Sequence, residues 1–218
     1  MAAIVRYDPP EFTALCARVR TILRRGGIVA IPTETSYGLG VDPFDSAALS
    51  RLTKVKGRAE HKPILLLIGA DDQLYPLVES IPPAATALME AFWPGPLTIV
   101  FPARADLHTL ITAGTGTVGV RWTSLTALAD ILRVVGPVTG TSANRSGESA
   151  ARTAQEVEQT FGDEIDLIID AGLTPGGLPS TVIQVEGRPQ IVREGTISRA
   201  RIREALCERG FFLNEGQM

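Results

Sequence analysis

Histidine, cysteine and lysine are scarce in this 218-residue chain, which has two, two and three of them. Cys16 and Cys207 lie near opposite ends, and His61 and His108 stand isolated, so neither a zinc-ligand spacing nor a disulfide framework is present. No apolar run approaches the roughly 20 residues that span a bilayer. Met1–Arg6 lacks the basic-then-apolar layout of a secretory signal, and a cytoplasmic protein is expected. A net charge of −3 and 6% aromatic residues leave no global electrostatic footprint and no stacking platform for nucleic acid. The few lysines are informative by position. Lys54, Lys56 and Lys62 all fall in KVKGRAEHK, whereas arginine occurs eighteen times across the chain. A local need for compact ammonium groups accounts for that clustering, as does a solvated charged loop.

What is present is an ordinary globular composition, 44% hydrophobic and 21% charged, at a length that supports a sizeable core. One domain over 1–218 is expected, with its core at about 12–206 and a short tail at 207–218. Phe12, Leu15, Cys16, Val19, Ile22 and Leu23 recur at helical spacing, and Gly26-Gly27 ends the pattern. Gly27–Ile31 reads as a strand stopped by Pro32, which has no N–H to donate. Tyr37–Val41 is a second extended piece. Ser46–Val55 is a helix whose C-terminal end, where the dipole favours cations, delivers the lysines. Pro63–Ile68 is a continuous apolar run, the pattern of a strand buried on both faces. Further helices are predicted at Asp71–Glu79, Pro83–Phe92, Leu125–Val134 and Thr153–Phe161, and from a Ser198 cap through Leu206. Further strands are predicted at Leu97–Phe101, Thr117–Trp122, Val138–Thr141 and Leu167–Asp170, with Thr181–Val185 and Gln190–Arg193 as a hairpin around Gly187. The alternation predicts an α/β or mixed α+β sheet with helices packed on it, and Ala171–Pro179 reads as a pocket-edge loop.

Three apparent motifs carry nothing. Gly114-x-Gly116-x-x-Gly119 leads into the strand-like VGVRW instead of opening a helix, so it is not a dinucleotide fingerprint. No lysine follows a P-loop glycine spacing, and Ser142 stands outside a G-x-S-x-G elbow. What remains is a series of polar clusters at predicted strand ends: PTETSYG, KVKGRAEHK, TVGVRW, TSANRSG, PST and VREG. Lys56, Arg58, Lys62, Arg121 and Arg193 can neutralise phosphates and a carboxylate, which arginine binds bidentately. Hydroxyls of Thr35, Ser142, Ser146 and Ser180 can fix smaller polar groups. Each cluster alone also fits local structure: strand-end ion pairs, a polar turn, a strand cap. Together, without a nucleophile and base pair, they favour phosphoryl or nucleotidyl transfer by positioning and charge stabilisation.

Taken in order, PTET-x-YGLG, K-x-KGR-x-x-x-KP, WPGPLT, VGVR, TSAN-x-SG, PSTV and VREG resemble the YrdC family, also called TsaC, of L-threonylcarbamoyladenylate synthases. The resemblance runs from about Gly26 to Ile202. It implies a twisted mixed sheet flanked by helices around a deep, positively charged cavity. It implies an enzyme that combines L-threonine, bicarbonate or CO2, and ATP with its magnesium into threonylcarbamoyl-AMP and pyrophosphate. Other proteins then transfer the threonylcarbamoyl group to tRNA. By position, Thr35, Arg121 and Ser180 resemble the threonine-binding residues, Arg121 holding the carboxylate, with Thr33 and Tyr37 shaping the site. Arg58, Lys62, Ser142 and Arg193 resemble the nucleotide-binding set, with Lys56 beside them and Thr117 and Asn144 as further candidates. Lys56 and Arg58 would stabilise charge as pyrophosphate leaves. No resident metal site is implied, and Glu34 has no role in this assignment. Leu67 stands where longer members carry a histidine near the threonine, and the additional C-terminal domain of those members is not expected. A module binding tRNA or double-stranded RNA through the same basic concavity, or a relative handling other carbamoyl chemistry, are the competing readings.

Overall fold

A computed structural model describes residues 1–57 and 62–214. The chain opens with β1 (Ala3–Arg6), α1 (Phe12–Leu23), β2 (Val29–Ile31), β3 (Gly38–Gly40) and α2 (Ser46–Lys56). The middle runs through β4 (Leu66–Ile68), α3 (Pro83–Phe92), β5 (Leu97–Pro102), α4 (Thr109–Thr112), β6 (Thr117–Trp122) and α5 (Thr126–Val135). Then come β7 (Val138–Thr139), β8 (Thr141–Ser142), α6 (Ala154–Phe161), β9 (Leu167–Asp170), β10 (Thr181–Gln184), β11 (Gln190–Arg193) and α7 (Arg199–Cys207).

The strands form two mixed sheets where the sequence suggested one. One has the order β1-β9-β2-β3-β8 and the other β11-β10-β5-β6-β4-β7. The chain passes between them at Gly140, the single residue separating β7 from β8. A Cβ there would lie 2.6 Å from Leu67 Cγ and 2.7 Å from Leu65 Cδ1, so only glycine admits this approach. Gly140→Ala is expected to lose about 1–3 kcal/mol to overpacking, read as a lower Tm.

Alternation along the central strands explains their uninterrupted apolar character. Val29, Ile31, Leu67, Leu167 and Ile169 join Leu15, Val19, Leu128 and Ile131 of α1 and α5 in one hydrophobic cluster. Their neighbours Ala30, Leu66, Ile68 and Ile168 face a second, larger cluster with Tyr37, Leu49, Phe101 and Phe161. With both faces covered, no polar alternation is left for the sequence to display.

Four local expectations are corrected. The predicted helix at Asp71–Glu79 is a 3₁₀ turn at Asp71–Gln73 only. Pro76 removes a helical donor there, and Gln73 instead accepts from Gly69 N–H and donates to Leu132 O. The strand within Pro63–Ile68 is confined to Leu66–Ile68. Ser198 occupies the N-cap of α7 but makes no side-chain cap; Glu194 Oε1 accepts from Arg199 N–H at 2.8 Å instead. β1 was not predicted, because AIVR shows no period-two pattern; pairing with β9 creates it. Among the described residues no helix is long and apolar enough to cross a membrane.

Candidate active site

Pro32 ends β2 as expected, and the following turn folds on its own hydroxyls. Thr33 Oγ1 donates to Ser36 O at 2.7 Å and accepts from the N–H groups of Thr35 and Ser36. Its proton being used there, the 2.9 Å contact with Thr35 Oγ1 has Thr35 as donor. Thr35 Oγ1 in turn accepts from Arg121 Nη1 at 3.3 Å. The PTETSYG turn is therefore a relay that ends on a buried guanidinium, 4% exposed.

Arg121 comes from β6, and Arg193 reaches the same cavity from the end of β11. Arg193 donates from Nη2 to Ser180 O at 2.9 Å and to Ser180 Oγ at 3.2 Å, and Ser180 Oγ lies 2.9 Å from Thr98 Oγ1. The PSTV and VREG segments can approach because a Cβ on Gly195 would lie 2.1 Å from Pro179 O. Burial pushes the Arg121 pKa down, partly offset by the nearby Glu34 carboxylate. Burial also pushes Arg193 down, and the like charge of Arg121 adds to it. Two guanidinium groups opening into one concavity favour an anion there.

TSAN-x-SG forms a second hydrogen-bonded cluster. Ser142 Oγ donates to Asn144 Oδ1 at 2.6 Å, and Asn144 Nδ2 donates to Arg145 O and Glu148 O. Lys56, at the end of α2 and 4% exposed, donates from Nζ to Ser142 O and Asn144 O, both at 2.5 Å, and to Asn144 Oδ1 at 3.2 Å. Its ammonium thus braces the loop, a contact that the sequence did not suggest. Arg145 braces it from outside, donating to Val55 O and pairing with Glu164 above the Phe161 ring.

The cavity measures about 890 Å³ and takes in Thr33, Thr35, Tyr37, Thr117, Arg121, Ser142, Asn144, Ser180 and Arg193. Thr117 Oγ1 lies 2.8 Å from Thr115 Oγ1 on its wall. Lys62 is exposed beside Pro63, which lines the cavity. Arg58 lies outside the described residues. Leu67 does not line the cavity: it is buried against α1 and α5, while Leu65 faces inward. Tyr37 presents no hydroxyl to a ligand, since it donates to Gly172 O at 2.9 Å. Burial pushes its phenol up to about 12, against a hydrogen bond from Ala171 N–H and with help from Asp170. An unfolded tyrosine ionises near 10, so this contribution to stability is present below that pH and is lost as pH rises towards 12. Tyr37→Phe is expected to flatten that alkaline loss, measured by chemical denaturation across the same range.

Two residues of the site escaped the sequence reading. Arg152 lines the cavity and donates to Thr174 O and Pro175 O, fastening the pocket-edge loop, which Gly176 N–H also ties to Thr35 O at 2.8 Å. Among eighteen arginines nothing in its local sequence marks it. Glu34 is the other. Its Oε2 accepts from Thr123 Oγ1 at 2.6 Å, and its Oε1 lies 3.6 Å from Arg121 Nη1. It therefore faces Arg121.

Two mixed sheets that enclose paired arginines, a ring of hydroxyls and a lysine-braced serine–asparagine loop define an α/β protein whose cavity offers cationic and hydroxyl groups to a ligand. The family model Sua5_yciO_yrdC, described as "Telomere recombination", matches residues 21–195. The chain belongs to the Sua5/YciO/YrdC family. A relative from Thiobacillus denitrificans, named threonylcarbamoyl-AMP synthase, is 40% identical over 164 residues, 75% of this chain and 87% of its own. One of the same name from Pyrococcus abyssi is 37% identical over 188 residues, 85% of this chain and 55% of its own. The crystal structure of P. abyssi Sua5 complexed with L-threonine matches with a TM-score of 0.88 at 33% identity, covering 98% of this chain and 62% of that one. This chain thus spans less than two thirds of the P. abyssi protein.

Proposed function

We propose that this chain is a threonylcarbamoyl-AMP synthase, forming L-threonylcarbamoyladenylate and pyrophosphate from L-threonine, bicarbonate or CO2, and ATP. The observation that carries this reading is the meeting, in one cavity, of Arg121 and Arg193 with the Ser142–Asn144 loop. Arg121 takes the threonine carboxylate, with Thr35 and Ser180 beside it. Ser142, Thr117, Asn144, Lys62, Arg58 and Arg193 hold the nucleotide. Threonine's neutral amine reacts with CO2 to give a carbamate, releasing one proton to solvent; a carbamate oxygen attacks the α-phosphorus, the bond to the oxygen bridging to the β-phosphate breaks and pyrophosphate leaves. Arg58 and Arg193 stabilise the charge that develops on it. Among the described residues no three His, Cys, Asp or Glu side chains are grouped to hold a metal. Magnesium is carried in with ATP, where it neutralises phosphate charge.

The product is an activated mixed anhydride, so a transferase acting on tRNA is the proposed consumer, in the cytoplasm. The deciding experiment is incubation with ATP, magnesium, bicarbonate and each amino acid in turn, with chromatographic detection of the adenylate and of pyrophosphate. Release that depends on threonine supports the reading. Release with none of the amino acids, or salt-sensitive RNA binding in its place, overturns it.

A further inference from the structure

The pair formed by Glu34 and Arg121 compensates charge without sharing a hydrogen bond. Thr123 holds the carboxylate by Oε2 and is itself fixed, its N–H donating to Ile68 O and its hydroxyl accepting from Leu125 N–H. Oε1 is left 3.6 Å from Arg121 Nη1, beyond hydrogen-bonding distance. Glu34 Oε1 and Arg121 Nε are both buried without a hydrogen-bond partner. Packing for stability alone would close such a gap, because orphaned buried polar atoms are costly. Thr33, Thr35 and Ser36 line the cavity and Glu34 does not, so the acid stands behind the wall.

With Arg152, Arg193 and Glu148 lining the same cavity, the charges at the wall among the described residues count as three guanidinium cations and two carboxylates, Glu34 included. A net charge of one matches an amino-acid carboxylate. Without Glu34 the count becomes two, which matches a phosphate dianion. A cavity that takes an amino acid and a polyphosphate together has to keep the second out of the place of the first. We propose that Glu34 is a specificity-determining residue, resting on the assignment of Arg121 to the threonine carboxylate: it sets the charge of the arginine pair so that a monocarboxylate is accepted and phosphate dianions are rejected.

The test compares wild type with Glu34→Gln by calorimetric titration with inorganic phosphate, with and without threonine. Phosphate held among the nucleotide-binding residues is not displaced by threonine, which separates the two positions. In wild type, threonine-displaceable phosphate binding is expected to be absent. In Glu34→Gln it should appear, with an affinity at least about ten-fold above the detection limit that wild type fails to reach, for removal of one charge at a few ångströms in a partly buried site. Glu34→Asp, which keeps the charge, should reject phosphate as wild type does. Equal phosphate behaviour in folded wild type and Glu34→Gln overturns the proposal. So does phosphate that already competes with threonine in wild type, a result that needs no variant to fold. Absence of threonine-dependent turnover in wild type would instead remove the functional reading, while the phosphate titrations still report whether Glu34 excludes dianions.

Discussion

Arg121→Ala is expected to lower kcat/KM for threonine by roughly two to three orders of magnitude while changing the KM for ATP far less. Truncating one partner of a buried charged contact generally loses about 2–5 kcal/mol of binding, and 1.4 kcal/mol is a factor of ten. Arg121→Lys should recover little, because a single ammonium cannot reproduce the planar fork that grips a carboxylate while one arm remains on Thr35. Alanine here also strands the Glu34 carboxylate with only Thr123 as partner, and breaking a buried pair in this way destabilises by about 3–5 kcal/mol. Thermal unfolding must therefore accompany the kinetics. The double variant Arg121→Ala with Glu34→Gln should regain much of the lost stability and none of the threonine affinity. Near-normal threonine kinetics in a folded Arg121→Ala protein would remove Arg121 from the substrate site.

The second large effect is expected at Lys56. Its ammonium is buried and joins α2 to two backbone carbonyls and a side-chain carbonyl of the serine–asparagine loop. Lys56→Met keeps the length of the stem and removes the donors. The carbonyls of Ser142 and Asn144 then lose a charged partner; Ser142 O still accepts from Asn144 N–H, so the loss is about 1–3 kcal/mol in unfolding free energy, for Asn144 O. A looser loop misplaces Ser142 and Asn144, so the KM for ATP should rise by about ten-fold or more, as positioning losses of this size do. A folded variant of unchanged Tm and unchanged ATP kinetics would rule out the bracing role. The resemblance implies that Lys56 meets the leaving pyrophosphate; its contacts with the loop add a positioning role.

Most of the architecture was legible because local rules agree with one another. Pro32 stops β2, Asp45 caps α2 by accepting from Ala47 and Ala48 N–H, and Gly57 ends it with φ of 58°. The failures fall where tertiary contacts replace local ones. Asp71–Glu79 lost its helix when Gln73 spent its amide on Gly69 and Leu132. β1 gained its strand from β9, a partner more than half the chain away.

The polar clusters identified themselves in the sequence by residue type: hydroxyls, arginines and lysines at the ends of apolar runs, in a fixed order. That was enough to name Thr33, Thr35, Arg121, Ser142, Asn144, Ser180 and Arg193, all of which line one cavity. Sequence could not say which side chains face a ligand and which hold those that do, because that distinction depends on direction and burial. Lys56 and Glu34 are charged residues inside two of the clearest motifs, yet one braces the loop and the other stands behind Arg121. Arg152 carries no mark in sequence and stands on the wall itself. The sequence determined the chemistry available to the cavity. Only the packing of two sheets around it decided how much of that charge is left for a substrate.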